Sequence, residues 1–222
     1  TLADGPTVVV LASTRDGYAN LCALIARGRL RSPKGACEIR ADEVCEHASG
    51  LILLWGATGL PCGDRFRDAF DDRMFALLTR HRLPTDPQRE HQLRQAARHL
   101  GIPIVAGCET LYHDRSRQPL QDVVTCIRHH TTLAAVGTRT RANAEHTLHP
   151  RDAFARLFAD DPAALERTID VAERCPFSLN DIHYRYPSER LPDGGTSADQ
   201  LRQATFAGAR DRFPKGIPPA VR

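Results

Sequence analysis

Apolar and polar positions along the chain follow two periods. Residues 7–12 (TVVVLA) and 51–55 (LILLW) are short continuous apolar runs, the pattern of buried strands. Residues 102–106 (IPIVA) form a third run, ended by Gly107. Between the runs, apolar residues recur every three to four positions. Leu21, Leu24 and Ile25 predict a helix opening near Asp16, with Asp16 as its cap. Residues 42–49 predict a short helix, 64–80 a longer one, and 88–100 an amphipathic helix ended by Gly101. Further helices are expected at 119–130, 150–158, 162–175 and 197–212, two of them opening close to a proline, which a first helical turn favours. Residues 56–63 and 84–87 read as loops, and 138–149 as an irregular surface wrap.

Strands alternating with helices imply a mainly parallel α/β sheet or barrel. Beyond Pro176 prolines and glycines crowd together, and Tyr184, Tyr186 and Pro187 predict an extended linker before the last helix. The expected organisation is an α/β domain over 1–175 and a mainly helical linker region over 176–222, with a boundary between 176 and 192.

Composition narrows the class. The 222 residues, 41% apolar, can bury one substantial core. No apolar run approaches a membrane span and no signal-peptide pattern opens the chain. The formal charge of +3 is too small to argue for nucleic acid, and the basic residues, all arginine except Lys34 and Lys215, are scattered. Seven cysteines without a CxxC pair fit neither a disulfide framework nor a zinc finger, and point to a reducing cytoplasm. Cys22, Cys126 and Cys175, in helical stretches, read as core residues. The chain has no G-x-S-x-G elbow, P-loop or G-x-G-x-x-G cradle.

The candidate chemistry follows the third apolar run. Its tip carries Cys108, Glu109, Tyr112, His113 and Asp114 before an amphipathic stretch opens at Pro119. Barrel strands deliver functional side chains from their C-terminal ends in this way. Thiol, carboxylate and imidazole at such a tip can bind metal or exchange protons.

Residues 102–128 also resemble the PHP (polymerase and histidinol phosphatase) domain of bacterial C-family DNA polymerases, and above all the error-prone alpha subunits. Residues 16–25 (DGYANLCALI) resemble the family's D-x-x-G-Y-x-N-L-x-x-L-I entry, and Gly50 to Leu54 its following strand. Asn143-Ala144-Glu145-His146, Ala172-Glu173-Arg174-Cys175 and Tyr184-Arg185-Tyr186-Pro187 match later landmarks, so the similarity runs from about residue 8 to 218. The string Glu109-Thr110-Leu111-Tyr112-His113 favours the error-prone over the replicative branch.

The resemblance implies a distorted, TIM-like β/α barrel of PHP type, here partial. The chain is expected to be a fragment of a longer polypeptide that lacks the early barrel strands, because it opens on Thr1 and matches the family only downstream of its His-x-His motif. The family's Asp-x-His motif falls on Glu109-Thr110-Leu111, where leucine cannot bind metal. A residual site would use Glu109, His113 and Cys108, with Zn²⁺ or Mn²⁺. The expectation is a vestigial, metal-free scaffold in which Glu109 caps the backbone or pairs with a neighbouring arginine. Asn180-Asp181-Ile182-His183 looks closer to Asp-x-His but follows a helix rather than a strand; Asp181 and His183 are assigned to surface or interdomain packing. The pair His146/His149, and His129-His130, read as solvated, and His81, His91 and His99 as exposed without a role. Arg115, Arg117 and Arg128 read as solvated, with contact of Arg115 and Arg117 to DNA backbone or to a neighbouring domain as the other possibility.

The parent implied by the resemblance is a DNA-directed, error-prone DNA polymerase of damage repair and replication. It would use Mg²⁺ in a palm domain outside this chain, with DNA, deoxynucleotides and repair or replication proteins as partners. No cofactor is expected in the fragment. Two alternatives are a metal-dependent phosphoesterase or 3′-5′ exonuclease, and a non-catalytic docking module marked by an apolar patch near 138–149.

Overall fold

The computed structural model describes residues 2–3, 7–56, 62–183 and 196–219. Among these residues four strands form one sheet: β1 (Val8–Ala12), β2 (Leu51–Trp55), β3 (Met74–Thr79) and β4 (Ile104–Gly107), side by side in chain order. β2, β3 and β4 run parallel, and β1 lies antiparallel to β2 with Val8 opposite Trp55 and Ala12 opposite Leu51. The β1 run is therefore an edge strand with Val9 exposed, rather than a strand buried on both faces.

The expected helix over 64–80 is two elements. α3 (Gly63–Phe70) stops where Asp71 takes a positive φ of 49°, a short 3-10 turn follows, and Met74 opens β3. A six-residue apolar run, MFALLT, bounded by Asp71-Asp72-Arg73 and Arg80, has the length and composition of a central parallel strand. Burial of Met74, Phe75, Ala76 and Leu78 outweighs the helix propensity of the segment.

α1 (Arg15–Arg31) is capped by Thr14, whose hydroxyl accepts from the Gly17 amide at 3.0 Å; the cap lies two residues before the expected Asp16. α2 spans Ala41–Glu46, and α4 spans Asp86–Leu100, ended by Gly101 at φ 63°. α5 (Gln118–Arg128), α6 (Arg151–Leu157) and α7 (Pro162–Glu173) complete this part of the chain.

Alternating strand residues feed two apolar clusters, as the period of two requires. Leu51, Leu53, Trp55, Met74, Ala76, Leu78 and Ala106 meet Leu24, Val44, Phe66, Phe70, Leu93 and Phe158 in the main core. Ile52, Phe75 and Val105 face the other way, against Val171 of α7. Arg167 of α7 donates to the Ile104 carbonyl at 2.7 Å, at the start of the β4 edge.

The chain divides into two compact units, Thr1–Phe177 and Ser178–Arg222. The second contains a 3-10 turn at Leu179–Asp181 and α8 (Ser197–Arg212). Asp181 and His183 are exposed. The expected linker residues Tyr184, Tyr186 and Pro187 lie outside the described residues, as do 57–61 of the expected 56–63 loop. No described helix is long and apolar enough to cross a membrane. All seven cysteines are free, and Cys22, expected in the core, is exposed.

Candidate functional site

The parallel strands end on one side of the sheet, and a cavity of about 560 Å³ opens there. This is where α/β sheets gather functional groups, because the loops leaving the strands converge. Two loops contribute at matched positions. His81 stands two residues beyond the end of β3, and Glu109 two residues beyond the end of β4. His146 joins them from the 138–149 segment. Leu54 and Leu77 line the floor, and Arg89 and Arg141 add positive charge at the wall.

Each side chain is held by its backbone. The His81 amide and the Leu83 amide both donate to Asp86 at the start of α4, at 2.8 and 3.1 Å, and Arg82 between them takes a positive φ of 54°. Asn143 donates to the His81 carbonyl at 2.7 Å. Beyond β4, the Leu111 amide donates to the His146 carbonyl at 2.9 Å, and the Leu148 amide to the Tyr112 carbonyl, also at 2.9 Å. A parallel bridge between Tyr112 and Thr147 locks the 138–149 segment against the strand tip. That segment is no surface wrap over its whole length: Glu145, His146 and Thr147 are buried.

His81, Glu109 and His146 offer one ligand atom each, all within 4.8 Å of one another. The two histidines are only 3% exposed, which corrects the expectation that both are solvated. Their rings stack at 4.0 Å with 15° between planes. Nδ1 of His146 lies 3.3 Å from the Glu109 carboxylate and 3.2 Å from its carbonyl. Burial pushes the His81 imidazole below its ordinary range, and the neighbouring His146 adds to this. Burial likewise pushes His146 down, with the Arg141 charge as the second cause. Both rings are neutral near pH 7, the form that ligates metal.

The residues named from the sequence divide. Glu109 stands in this cluster. Cys108 lines the same cavity, with its thiol directed to the Thr147 carbonyl at 3.4 Å, outside the three-residue group. His113 is exposed and is not part of it. Leu111 is 36% exposed. Arg115 pairs with Glu145 at 2.8 Å. His81 had no local signature, and His146 stood in the Asn143-Ala144-Glu145-His146 landmark without pointing to a site. They stand 65 positions apart, and only chain closure through β4 makes them neighbours. A usable signal for His81 was its place just past an apolar run, had that run been read as a strand.

Two imidazoles and one carboxylate are a donor set that suits Zn²⁺ or Mn²⁺ and leaves positions for water. Nε2 of His81 is buried without a hydrogen-bond partner among the described residues, as an unused ligand atom would be. Two features oppose a cation. The Arg141 guanidinium holds the Glu109 carboxylate at 2.7 Å, so a metal would have to displace it. Stacked, near-parallel rings aim their lone pairs side by side instead of at one point, so ligation needs the rings to splay.

Comparison with known proteins gives a consistent picture. No protein-family model matches the chain. It is 38% identical over 99% of its length to "Error-prone DNA polymerase" of Pseudomonas syringae pv. syringae, covering 22% of that protein. It is 36% identical over 99% to "Error-prone DNA polymerase 1" of Agrobacterium fabrum and 32% identical over 98% to "Error-prone DNA polymerase" of Rhodopirellula baltica, covering 21% and 20% of them. The likeness read from the motifs thus extends over practically the whole chain. The chain spans about a fifth of the length of these relatives and corresponds to one segment of them.

Proposed function

We propose that this chain is a PHP-type scaffold segment of a bacterial error-prone DNA polymerase. The whole polypeptide would extend primers across damaged template in the cytoplasm, with Mg²⁺, DNA and deoxynucleotides bound by a catalytic region outside this chain. The observation that carries the reading is similarity over 99% of the chain to proteins of that name. We infer further that the sheet is part of a distorted β/α barrel and that the region beyond about residue 176 leads toward the polymerase core.

The scaffold role rests on the state of the strand tips. Leu111 stands where the resembled family has an imidazole, and Arg141 occupies the Glu109 carboxylate. An ion-paired carboxylate braces the 138–149 segment against β4, which is a packing role.

A second reading is favoured by one observation, the convergence of His81, Glu109 and His146. If these residues hold a metal, it would supply a Lewis acid and an activated water. The two neutral imidazoles and the carboxylate would bind it, Arg89 and Arg141 would attract a phosphate, and the activity would be phosphoester hydrolysis.

The test uses the full-length polypeptide that contains this chain. Primer extension on an undamaged and an abasic template, with Glu109→Gln beside the unaltered protein, separates the readings. The scaffold reading expects extension in both proteins, with rates within about twofold, since removing one exposed ion pair costs less than about 1 kcal/mol. The hydrolytic reading expects bound Zn²⁺ or Mn²⁺ by elemental analysis and a nuclease activity lost in Glu109→Gln and His81→Gln. No extension by the unaltered protein would overturn the polymerase reading.

A further inference from the structure

α5 is an amphipathic helix facing the wrong way. Leu120, Val123, Val124 and Ile127 recur at i, i+3, i+4 and i+7 and form a single stripe. They are 55%, 41%, 44% and 69% exposed. The more sheltered positions of the same helix are Gln118, Gln121, Asp122, Thr125 and Cys126, polar except for the last. Gln118 donates to the Arg141 carbonyl at 3.2 Å, and Cys126 is buried. Full burial of an aliphatic side chain contributes about 1.5–3 kcal/mol, so an isolated domain would turn the stripe inward. Here the sheltered face carries polar side chains and the buried Cys126, and four aliphatic side chains remain exposed.

We propose that the outward face of α5 docks a surface supplied by the rest of the same polypeptide, apolar at its centre and carboxylate-bearing at its rim. The inference rests on the reading of the chain as a polymerase segment. The relatives extend well past it, since it spans only about a fifth of their length, so ample polypeptide exists to cover the stripe. Its size also fits. Four side chains are far fewer than the roughly 20–30 residues a side of a stable dimer interface. A contact within one polypeptide needs much less, because linkage gives it a high effective concentration. The charge at the ends of the stripe fits an acidic rim. Arg117 precedes the stripe and Arg128 follows it; both are exposed, and neither makes an ion pair among the described residues.

Hydroxyl-radical footprinting of the full-length polypeptide tests this. Leu30, 88% exposed, is the reference for a solvated leucine, and Leu53, fully buried, the reference for a protected one. Docking predicts that Leu120 and Ile127 oxidise at least about fivefold more slowly than Leu30, as desolvated interface centres do. Ile127→Glu should return Leu120 to within about twofold of the Leu30 rate, with an unchanged circular dichroism spectrum. Oxidation of Leu120 and Ile127 at the Leu30 rate in the unaltered protein would overturn the proposal, whether or not the variant folds. Protection that disappears on dilution, together with a dimer in sedimentation, would assign the face to a second copy and also overturn it. Primer extension on the same sample keeps the two claims apart. Extension with an exposed stripe removes the docking alone; protection in a monomer without extension removes the polymerase reading alone.

Discussion

At Gly17 one missing methyl group decides how a helix meets a strand. A Cβ there would lie 1.8 Å from the Gly50 carbonyl oxygen, which is backbone and cannot yield. Gly50 itself has φ 67° just before β2. The first turn of α1 is pinned to this point, with Ser13 donating to the same carbonyl at 2.8 Å. Gly17→Ala is therefore expected to destabilise the fold by about 2–4 kcal/mol despite the better helix propensity of alanine. Urea unfolding of the two proteins checks this; an unchanged midpoint would mean that α1 is free to shift away from Gly50.

Individual elements are joined by an arginine-carboxylate network. Arg80, at the end of β3, binds Glu90 of α4 at 2.7 Å and Asp160 of the α6–α7 turn at 2.6 Å, and its guanidinium lies 5.0 Å from the Phe158 ring. Arg94 of α4 pairs with Glu90 and with Asp161, both at 2.7 Å. Arg80 holds Asp160 down to about 2 and also pulls Glu90 below its usual range. Depressed carboxylates stabilise the fold above their unfolded values, and that stability is lost as pH falls toward the folded ones. Stability should thus decline between about pH 4.5 and pH 2. Arg80→Leu should cost about 1–3 kcal/mol at pH 7, with the difference from the unaltered protein narrowing toward pH 2. Thermal unfolding across that range reads both; a pH-independent difference would mean that Arg80 acts through packing on Phe158.

The unit Thr1–Phe177 as a whole depends on its two-sided sheet. Trp55, the only tryptophan, is fully buried beside Leu53 and Met74, so its emission reports the main core. Leu53→Ala is expected to cost about 3–5 kcal/mol and to lower the unfolding temperature followed by Trp55 emission by about 10 °C. A shift below about 2 °C would mean that the core refills the cavity.

Much of the architecture was legible in local pattern. The bounds of α8, Ser197–Arg212, and the end of α4 at Gly101 follow from helical spacing and from a residue that tolerates positive φ. β2 and β4 were legible as apolar runs. β3 was not, because MFALLT follows α3 after only three polar residues, and a short apolar run is equally at home in a buried helix or a buried strand. Glu109 was legible as a strand-tip carboxylate and Cys108 as its neighbour, whereas the exposed position of His113 depended on where the chain turned after β4.

The sequence alone determined periodicity, the glycine that ends α4 and the likeness to error-prone DNA polymerases, because each is written in neighbouring residues. Only the tertiary structure decided that His81 and His146 stack beside Glu109, that Arg141 reaches its carboxylate, and that the apolar stripe of α5 faces water. Those facts depend on which distant segments the closed chain brings together, and no local pattern encodes long-range convergence or the direction in which a helix face finally points.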